Sequence, residues 1–272
     1  MRPGLLLMLP GLLAACGVSS PMPAAALSGE AHGLRAWQRP IAVEGGPGRL
    51  IVVELPASAR IEVLPSPEPG PLQDLAPPIP GSACAAINGG FYDSRGAMGW
   101  VQHAGREHAT LRSSGGSGVL VITADGPRIA HRDDVLGDPQ EALQSIDRLV
   151  VGGQSVVGPR ARPDADARSA VAIRRDGTVV FALVFSELAV EREAPGRVEL
   201  DARSSSTGLG LSAWAELLAR PVADGGLGVD SALNLDGGYS TSASIHVGSF
   251  DLEVLAHGAT INALRTCAGS PG

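Results

Sequence analysis

The most informative absence in this 272-residue chain is lysine, because all 21 basic residues are arginine. Without lysine, the chain cannot form a Schiff base with a substrate, use a Walker-type phosphate loop or build a Ser–Lys nucleophile pair. The formal net charge is −7 and the sequence has no basic block, which argues against nucleic acid as a partner. Any anion bound here must therefore be held by individual arginines or by backbone amides.

Aromatic residues and metal-binding patterns are also scarce. The chain has nine aromatic residues, but aliphatic residues are plentiful enough to bury one core, so one domain is the simplest arrangement. The six histidines are scattered without the spacing of a metal site, and no metal or other cofactor is predicted. A structural Ca²⁺ site in the Asp-rich loop 133–138 stays an alternative, although no motif requires one.

No long hydrophobic run occurs after the first 15 residues. Residues 5–13 form an apolar stretch too short to span a bilayer permanently, and the following Ala14-Ala15-Cys16 resembles the end of a bacterial lipobox. We expect a lipoprotein signal peptide at 1–15, a lipidated Cys16 and a flexible tether over 16–33. An ordinary secretory signal that happens to contain a cysteine is the alternative.

The lipobox predicts a location as well as a modification. Acyl chains on Cys16 would hold an exported protein on a membrane surface of the bacterial cell envelope, without a spanning helix. In a cell with two membranes the protein would face the periplasm. Gly17 stands where Asp commonly signals inner-membrane retention, which favours the outer membrane.

The two remaining cysteines, Cys84 and Cys267, have no metal-site spacing. In an exported protein such a pair indicates a disulfide that would fix the C-terminal tail near the first half of the chain. The alternative is two unpaired cysteines, with Cys84 buried.

The remainder, residues 34–272, is predicted to be a single α+β domain with a mainly antiparallel or mixed sheet and two or three short helices. Hairpins are expected across Asp125-Gly126 and Asp176-Gly177. The strands 49–55 and 60–64 are expected to pair with each other. Helices are expected over 138–146, where an Asp-Pro-Gln-Glu start occurs, and from a Ser212 cap to just before Pro221, with a further helical turn at 72–76.

Two distant loops share one pattern, in which an apolar strand ends in Asn or Asp and is followed by Gly-Gly and an aromatic residue. The loops are Ile87-Asn88-Gly89-Gly90-Phe91 and Leu235-Asp236-Gly237-Gly238-Tyr239. Glycines allow a ligand to approach the main chain, and exposed amides in such a turn can hold an anion. The alternative is a tight turn in which Asp236 binds its own backbone.

Four of the nine aromatic residues lie in or beside these loops: Phe91, Tyr92, Trp100 and Tyr239. This concentration indicates a platform for a sugar ring or another flat ligand. Equally, these side chains could anchor the loops to the sheet.

These blocks, in this order, resemble the phosphodiester glycosidase family. The matching segments are INGGFYD at 87–93, Gly99, RSAVAI at 168–173 before RDG at 175–177, ALNLDGG at 232–238 and INAL at 261–264. The resemblance covers a motif-bearing core of about 84–264. Two positions depart from the family pattern: Tyr239 stands where a third glycine is usual, and Phe185-Ser186-Glu187 where Asp-Gly-Arg is usual.

The resemblance implies an enzyme that hydrolyses the glycosidic bond of a sugar-1-phosphodiester, with an envelope- or exopolysaccharide-related phosphorylated carbohydrate as substrate. Its products would be a free sugar and a phosphate monoester. The alternative function is that of a non-catalytic envelope lipoprotein that binds a glycan or phosphoglycan in the same cleft. Neither reading predicts an oligomeric state.

The expected roles follow from this chemistry. Asp236 would activate water or stabilise positive charge at the anomeric carbon, Asn88 would orient sugar or water, and Arg168 would bind the phosphate. Glu187 is a candidate second carboxylate. For Arg168 the alternative is a surface hairpin charge, and for Glu187 a solvated acid. The expected substrate-binding residues are Gly89, Gly90, Phe91, Tyr92, Gly237, Gly238, Tyr239, Ser240 and Thr241.

Overall fold

The computed structural model describes residues 28–135, 137–158 and 164–269. In chain order, its first strands are β1 (Ser28–Ala31), β2 (Leu34–Val43), β3 (Gly46–Leu55), β4 (Ile61–Gly70), β5 (Ala83–Asn88), β6 (Tyr92–Asp93), β7 (Gly96–Ala97), β8 (Val101–His103), β9 (Arg106–Ala109), β10 (Gly118–Thr123) and β11 (Gly126–His131). The next are β12 (Glu141–Ser145), β13 (Arg148–Val151), β14 (Gln154–Ser155), β15 (Arg168–Ile173), β16 (Val179–Ser186), β17 (Val190–Ala194), β18 (Arg197–Leu200), β19 (Ser231–Asn234), β20 (Ala243–Val247), β21 (Phe250–Leu255) and β22 (Thr260–Ala268). The α-helices are α1 (Leu72–Leu75) and α2 (Leu211–Ala219).

The strands form three main sheets. The first has eight strands in the order β1-β2-β3-β16-β15-β19-β13-β14, and the second has seven in the order β17-β18-β21-β20-β5-β22-β4. A five-stranded sheet, β11-β10-β12-β8-β9, and the small β6–β7 pair complete the fold. Neighbouring strands run antiparallel except for β18 and β21, which are parallel. The expected single, mainly antiparallel domain is confirmed, but the fold contains less helix than an α+β description implies.

The main core lies between the eight- and seven-stranded sheets. In β3, Ile51 and Val53 point into this core, where they join Ile87 of β5 and Ile245 of β20. The alternate residues of the first sheet point to its other face and pack against α2 around the fully buried Trp214. Because both faces of this sheet are covered, its central strands are continuous apolar runs rather than alternating ones.

The first described strand occupies part of the stretch expected to be a tether. β1 pairs with β2, and a Cβ atom at Gly29 would lie 2.2 Å from the carbonyl oxygen of Val247, so this segment packs closely on the second sheet. Residues 28–31 therefore belong to the folded domain, ahead of the boundary expected at residue 34. Cys16 and the expected signal peptide lie outside the described residues.

The helix expected over 138–146 was wrong. Residues Glu141–Ser145 form β12, a wholly buried strand that pairs with β10. The carboxylate of Glu141 accepts hydrogen bonds from the backbone amides of Val63 (2.9 Å) and Ala104 (3.0 Å), so it does not act as a helix-capping group. A local capping signal was overridden here by pairing with strands distant in sequence.

The expected pairing of 49–55 with 60–64 was also wrong. β3 pairs with β2 and β16 in the first sheet, whereas β4 pairs with β22 in the second. The turn between β3 and β4 therefore crosses from one sheet to the other. The hairpins β10–β11 and β15–β16 form as expected.

The two helices agree only partly with expectation. The turn expected at 72–76 forms as α1, and α2 ends before Pro221 as predicted. The residue that caps α2 is Gly210, not Ser212. In the described ranges, no helix has the length and apolar character needed to cross a membrane.

A disulfide joins Cys84 in β5 to Cys267 in β22, as the sequence indicates. The two residues are directly opposed in the antiparallel register, with Cα atoms 4.1 Å apart. The bond therefore ties the last strand to the middle of the seven-stranded sheet, across 183 residues of sequence.

We expect removal of this bond to lower the free energy of unfolding by about 2–5 kcal/mol. Without the bond the unfolded chain is no longer closed into a long loop, so its conformational entropy is higher. Urea unfolding of the purified protein, with and without reductant, measures the difference. A Cys84→Ala, Cys267→Ala double variant should match the reduced protein and not respond to reductant. Equal midpoints for the oxidised and reduced protein would contradict the prediction.

Candidate functional site

The two Gly-Gly loops, 148 residues apart at Asn88 and Asp236, meet at one end of the fold. The side-chain Nδ2 of Asn88 donates to the backbone oxygen of Asp236 at 2.7 Å. The backbone amide of Asp236 in turn donates to the carbonyl of Gly89 at 2.9 Å. These reciprocal bonds fix the loops against each other, as the shared sequence pattern led us to expect.

Asn88 holds this junction together from inside the protein. Its Oδ1 accepts hydrogen bonds from the hydroxyl of Ser169 (2.8 Å) and the amide of Ser242 (3.1 Å), and its side chain is fully buried. Both ends of the carboxamide are therefore engaged by the protein. This geometry does not fit the expected direct contact with a sugar or water, and Asn88 instead positions the loops.

Asn262 is a residue of the site that the sequence reasoning did not single out. Its Oδ1 accepts from the amide of Gly90 at 2.6 Å, and its backbone oxygen accepts from the amide of Gly89 at 2.8 Å. A Cβ atom at residue 89 would lie 1.9 Å from that Oδ1, which explains the glycine. The only sequence signal was the position of Asn262 within the closing INAL segment.

The Gly-Gly amides do not form the anion nest expected from the sequence. The amides of Gly89 and Gly90 bind Asn262, that of Gly237 donates to Oδ1 of Asp236 (3.0 Å), and that of Gly238 donates to the carbonyl of Ala167 (2.8 Å). All four donors are directed at groups of the protein itself. The glycines therefore serve close packing of the loops, and the local cap expected as the alternative for Asp236 is present.

The carboxyl group of Asp236 is the partly exposed acid at the centre of the junction. Burial raises its pKa to about 6, while hydrogen bonds from Ser240 and from the Gly237 amide act in the opposite direction. An acid with such a pKa exchanges its proton near neutral pH, which is the property required of a general acid or base.

Tyr92 lies beside this carboxyl group. Burial and then the charge of Asp236 raise the pKa of its phenol, which therefore stays protonated. The hydroxyl donates to the backbone oxygen of Ala259 at 3.2 Å. Tyr92 is half-buried, so its ring forms one wall next to Asp236.

Arg168 lies below the site rather than in it. Its Nε donates to the carbonyl of Leu209 (2.8 Å), and its guanidinium donates to the carbonyl of Asp164 (2.6 Å) and pairs with Asp166 (3.1 Å). The side chain is almost entirely buried, under the turn at Gly237. Neither the expected phosphate contact nor the alternative of a surface charge fits this geometry, because Arg168 binds Leu209, Asp164 and Asp166 beneath the turn at Gly237.

Glu187 belongs to an ion-pair cluster rather than to the Asn88–Asp236 junction. Its carboxylate pairs with Arg49 at 3.0 Å, and Arg49 also pairs with Glu193 at 2.8 Å. The guanidinium lies over the ring of Phe185, 5.6 Å from its centroid. The structure gives this acid a structural partner in place of the expected role as a second carboxylate.

The exposed rim of the site is aromatic. Tyr239 is 48 % exposed, and its ring centroid lies 5.5 Å from that of His257, a histidine that no motif singled out. Phe91 is half-buried near the same loops, whereas Trp100 packs in the five-stranded sheet and is not part of the rim.

Hydroxyl groups line the interior of the Asp236 loop. Ser240 and Thr241 are buried, and the Thr241 hydroxyl has no hydrogen-bond partner among the described residues. Within those same residues, no group of three or more His, Cys, Asp or Glu side chains is placed to hold a metal ion.

The raised pKa of Asp236 has a consequence for stability. Between pH 4 and 6 the folded protein keeps a proton that the unfolded chain has released, so the free energy of unfolding falls as pH rises through this window. Asp236 accounts for up to about 3 kcal/mol of that fall. Urea unfolding at pH 4 to 8 measures it.

An Asp236→Asn variant should lack this component and become more stable relative to the parent protein as pH rises. Asp125→Asn is the matched control, because Asp125 lies in an exposed hairpin turn where Asn-Gly is equally suitable. Parallel stability profiles for the parent protein and Asp236→Asn would contradict the burial effect.

Comparison with known proteins agrees with the residues that form this site. The family model for phosphodiester glycosidases matches residues 81–267, which include both Gly-Gly loops and the closing strand β22. No curated protein sequence matches the chain.

Solved structures with the same fold are distant in sequence. The catalytic domain of zebrafish N-acetylglucosamine-1-phosphodiester alpha-N-acetylglucosaminidase, auto-inhibited by its pro-peptide, is 18% identical with a TM-score of 0.62, over 91% of this chain and 87% of that one. A hypothetical protein from Synechocystis is 14% identical with a TM-score of 0.57, over 87% of this chain and 62% of that one. These similarities concern the fold, while the family model covers most of the sequence. The chain belongs to the phosphodiester glycosidase family.

Proposed function

We propose that this protein hydrolyses the glycosidic bond of a sugar-1-phosphodiester. The observation that carries the proposal is the partly exposed Asp236 carboxyl group. It lies where the two Gly-Gly loops meet, and its pKa is raised to about 6. Membership of the phosphodiester glycosidase family supports the same reaction class. The named activity of the zebrafish relative, on N-acetylglucosamine-1-phosphodiesters, provides the first substrate to test.

In the proposed step, ionised Asp236 takes a proton from water while the water oxygen bonds to the anomeric carbon. The bond from that carbon to the bridging oxygen breaks, and the phosphate monoester leaves with the bridging oxygen and its electron pair. Because a phosphate monoester is a good leaving group, the reaction needs less acid assistance than ordinary glycoside hydrolysis. One titrating carboxyl group is therefore sufficient, and Glu187 remains in its ion pair with Arg49.

The neighbouring residues support this step by position. Asn88 is bonded to the backbone of Asp236, and Arg168 lies beneath the turn at Gly237, so we assign both as positioning residues. The half-buried ring of Tyr92 forms a wall beside the carboxyl group, and Tyr239 with His257 offers an aromatic rim for the sugar ring.

Turnover should be measured with the methyl phosphodiester of N-acetylglucosamine 1-phosphate in ¹⁸O-labelled water. Glycosidic cleavage places the label in the released sugar, whereas attack at phosphorus places it in the phosphate. We expect labelled sugar and a fall in kcat of at least about 100-fold in Asp236→Asn, with Asp125→Asn unchanged. Below pH 6, kcat/KM should fall about tenfold per pH unit as Asp236 becomes protonated.

Equal turnover in Asp236→Asn and the parent protein would remove Asp236 from the reaction. Label in the phosphate would show attack at phosphorus, and the assigned reaction would then be that of a phosphodiesterase instead of a glycosidase. Binding of the substrate without release of sugar would favour the alternative, a non-catalytic lipoprotein that binds phosphoglycans.

We also propose that the protein works as an exported lipoprotein held on an envelope membrane through Cys16. The proposal rests on the lipobox-like sequence that ends at Cys16 and on the disulfide between Cys84 and Cys267, which suits an oxidising compartment. In cells grown with an alkyne fatty acid, we expect label on the parent protein and none on Cys16→Ala. Equal labelling of the two proteins would contradict lipidation at this residue.

A further inference from the structure

A cavity of 340 Å³ lies at the opposite end of the first sheet from Asp236. It is lined by Arg35, Trp37, Arg39, Glu54, Arg174, Val222, Gly225, Gly226 and Leu227. Arg168, which lies beneath the turn at Gly237, begins β15, and Arg174 follows the last residue of that strand. The length of the strand separates the two ends by about 20 Å.

Three of the lining side chains lie on one face of β2. Arg35, Trp37 and Arg39 alternate along the strand and therefore point the same way, towards Glu54 on the neighbouring β3. The Arg-x-Trp-x-Arg pattern thus places an aromatic ring between two guanidinium groups. This pattern lies outside the residues matched by the family model, which begin at residue 81.

Hydrogen bonds hold these groups in place. The Glu54 carboxylate accepts from Arg174 (2.7 Å) and from Nε1 of Trp37 (3.4 Å), and it pairs with Arg35 at 3.6 Å. Arg39 donates to the backbone oxygen of Gly225 at 2.5 Å, which is a neutral partner. Trp37, Arg39 and Arg174 are therefore held in position before a ligand arrives, which lowers the entropic cost of binding.

The charge of the lining is positive in a protein whose net charge is negative. The lining residues carry three guanidinium groups and one carboxylate, that of Glu54, which is a formal excess of two positive charges, and Glu30 of β1 lies opposite Arg35. The nearby Asp176 is not part of the lining, and its carboxylate accepts from the amide of Thr178 at 2.9 Å. An anionic ligand would neutralise this excess.

We propose that this cavity is a binding site for an acidic saccharide unit, separate from the site at Asp236 and independent of the reaction proposed there. Arg35 and Arg39 bind the carboxylate or phosphate of the sugar, and Trp37 packs against its ring. The combination of guanidinium groups and an aromatic ring selects a charged sugar over a bare inorganic anion. The volume is at the lower end of the range for small-ligand pockets, about 300–1,000 Å³.

Binding can be followed by calorimetry and by tryptophan fluorescence, because Trp37 is partly exposed whereas Trp100 and Trp214 are buried. The probes are trigalacturonate for a carboxylate, glucose 6-phosphate for a phosphate, neutral maltotriose and inorganic phosphate. We expect one or both acidic sugars to bind at least tenfold more tightly than maltotriose and inorganic phosphate, and to change the fluorescence. Which acidic sugar binds identifies the anionic group.

The matched variants are Arg39→Gln and Arg192→Gln. Among the described residues, Arg39 donates to the carbonyl of Gly225 and to no carboxylate, so its loss should weaken acidic-sugar binding about tenfold or more without unfolding the protein. Arg192 is an exposed arginine of the other large sheet, paired with Glu199, and its variant should bind normally. Asp236→Asn should also bind normally, which separates this site from the catalytic proposal.

Several results would overturn the proposal. These are equal binding by Arg39→Gln, equal affinity for maltotriose or inorganic phosphate, and the absence of binding by both acidic sugars. Trp37→Phe, which keeps an aromatic ring, should retain calorimetric binding but lose the fluorescence change. A fluorescence change that persists in Trp37→Phe would place the ligand elsewhere.

Discussion

The carboxamide of Asn88 is the contact on which the site depends. Its donor binds the backbone of Asp236, and its acceptor binds Ser169 and Ser242, so one buried side chain links three segments that are far apart in sequence. A buried amide that is hydrogen-bonded at both its nitrogen and its oxygen fixes geometry strongly, because breaking these bonds leaves polar groups unpaired in the interior. The orientation of the Asp236 loop follows from that constraint.

The rest of the junction keeps one acid reactive. The guanidinium of Arg168 is directed at Leu209, Asp164 and Asp166, whereas the Asp236 carboxylate accepts from the Gly237 amide and from Ser240, which are neutral donors. Burial is therefore the largest effect on its pKa, which rises to about 6 instead of falling. The same packing that orders the loops thus produces the acid–base property that we propose is used in hydrolysis.

Much of the fold could be read from local signals. Asp-Gly turns between apolar runs predicted the β10–β11 and β15–β16 hairpins, and the two remaining cysteines predicted their bond. The capping signal before Glu141 failed, because Glu141 is instead the acceptor for amides of β4 and of the turn after β8. Single-sequence reasoning does not contain such distant partners, so it assigned a helix to a buried strand.

For the site, the repeated Asn/Asp-Gly-Gly-aromatic pattern alone determined which two loops meet and which carboxyl group lies between them. The order of the motifs also predicted the family, which the match to the family model confirms. Only the tertiary structure decided where the hydrogen bonds go: Arg168 turned inward, Glu187 bound Arg49, and the glycine amides bound the protein. The physical reason is that the residue type determines which kinds of hydrogen bond a side chain can form. Its actual partner is whichever donor or acceptor the folded chain brings to within about 3 Å.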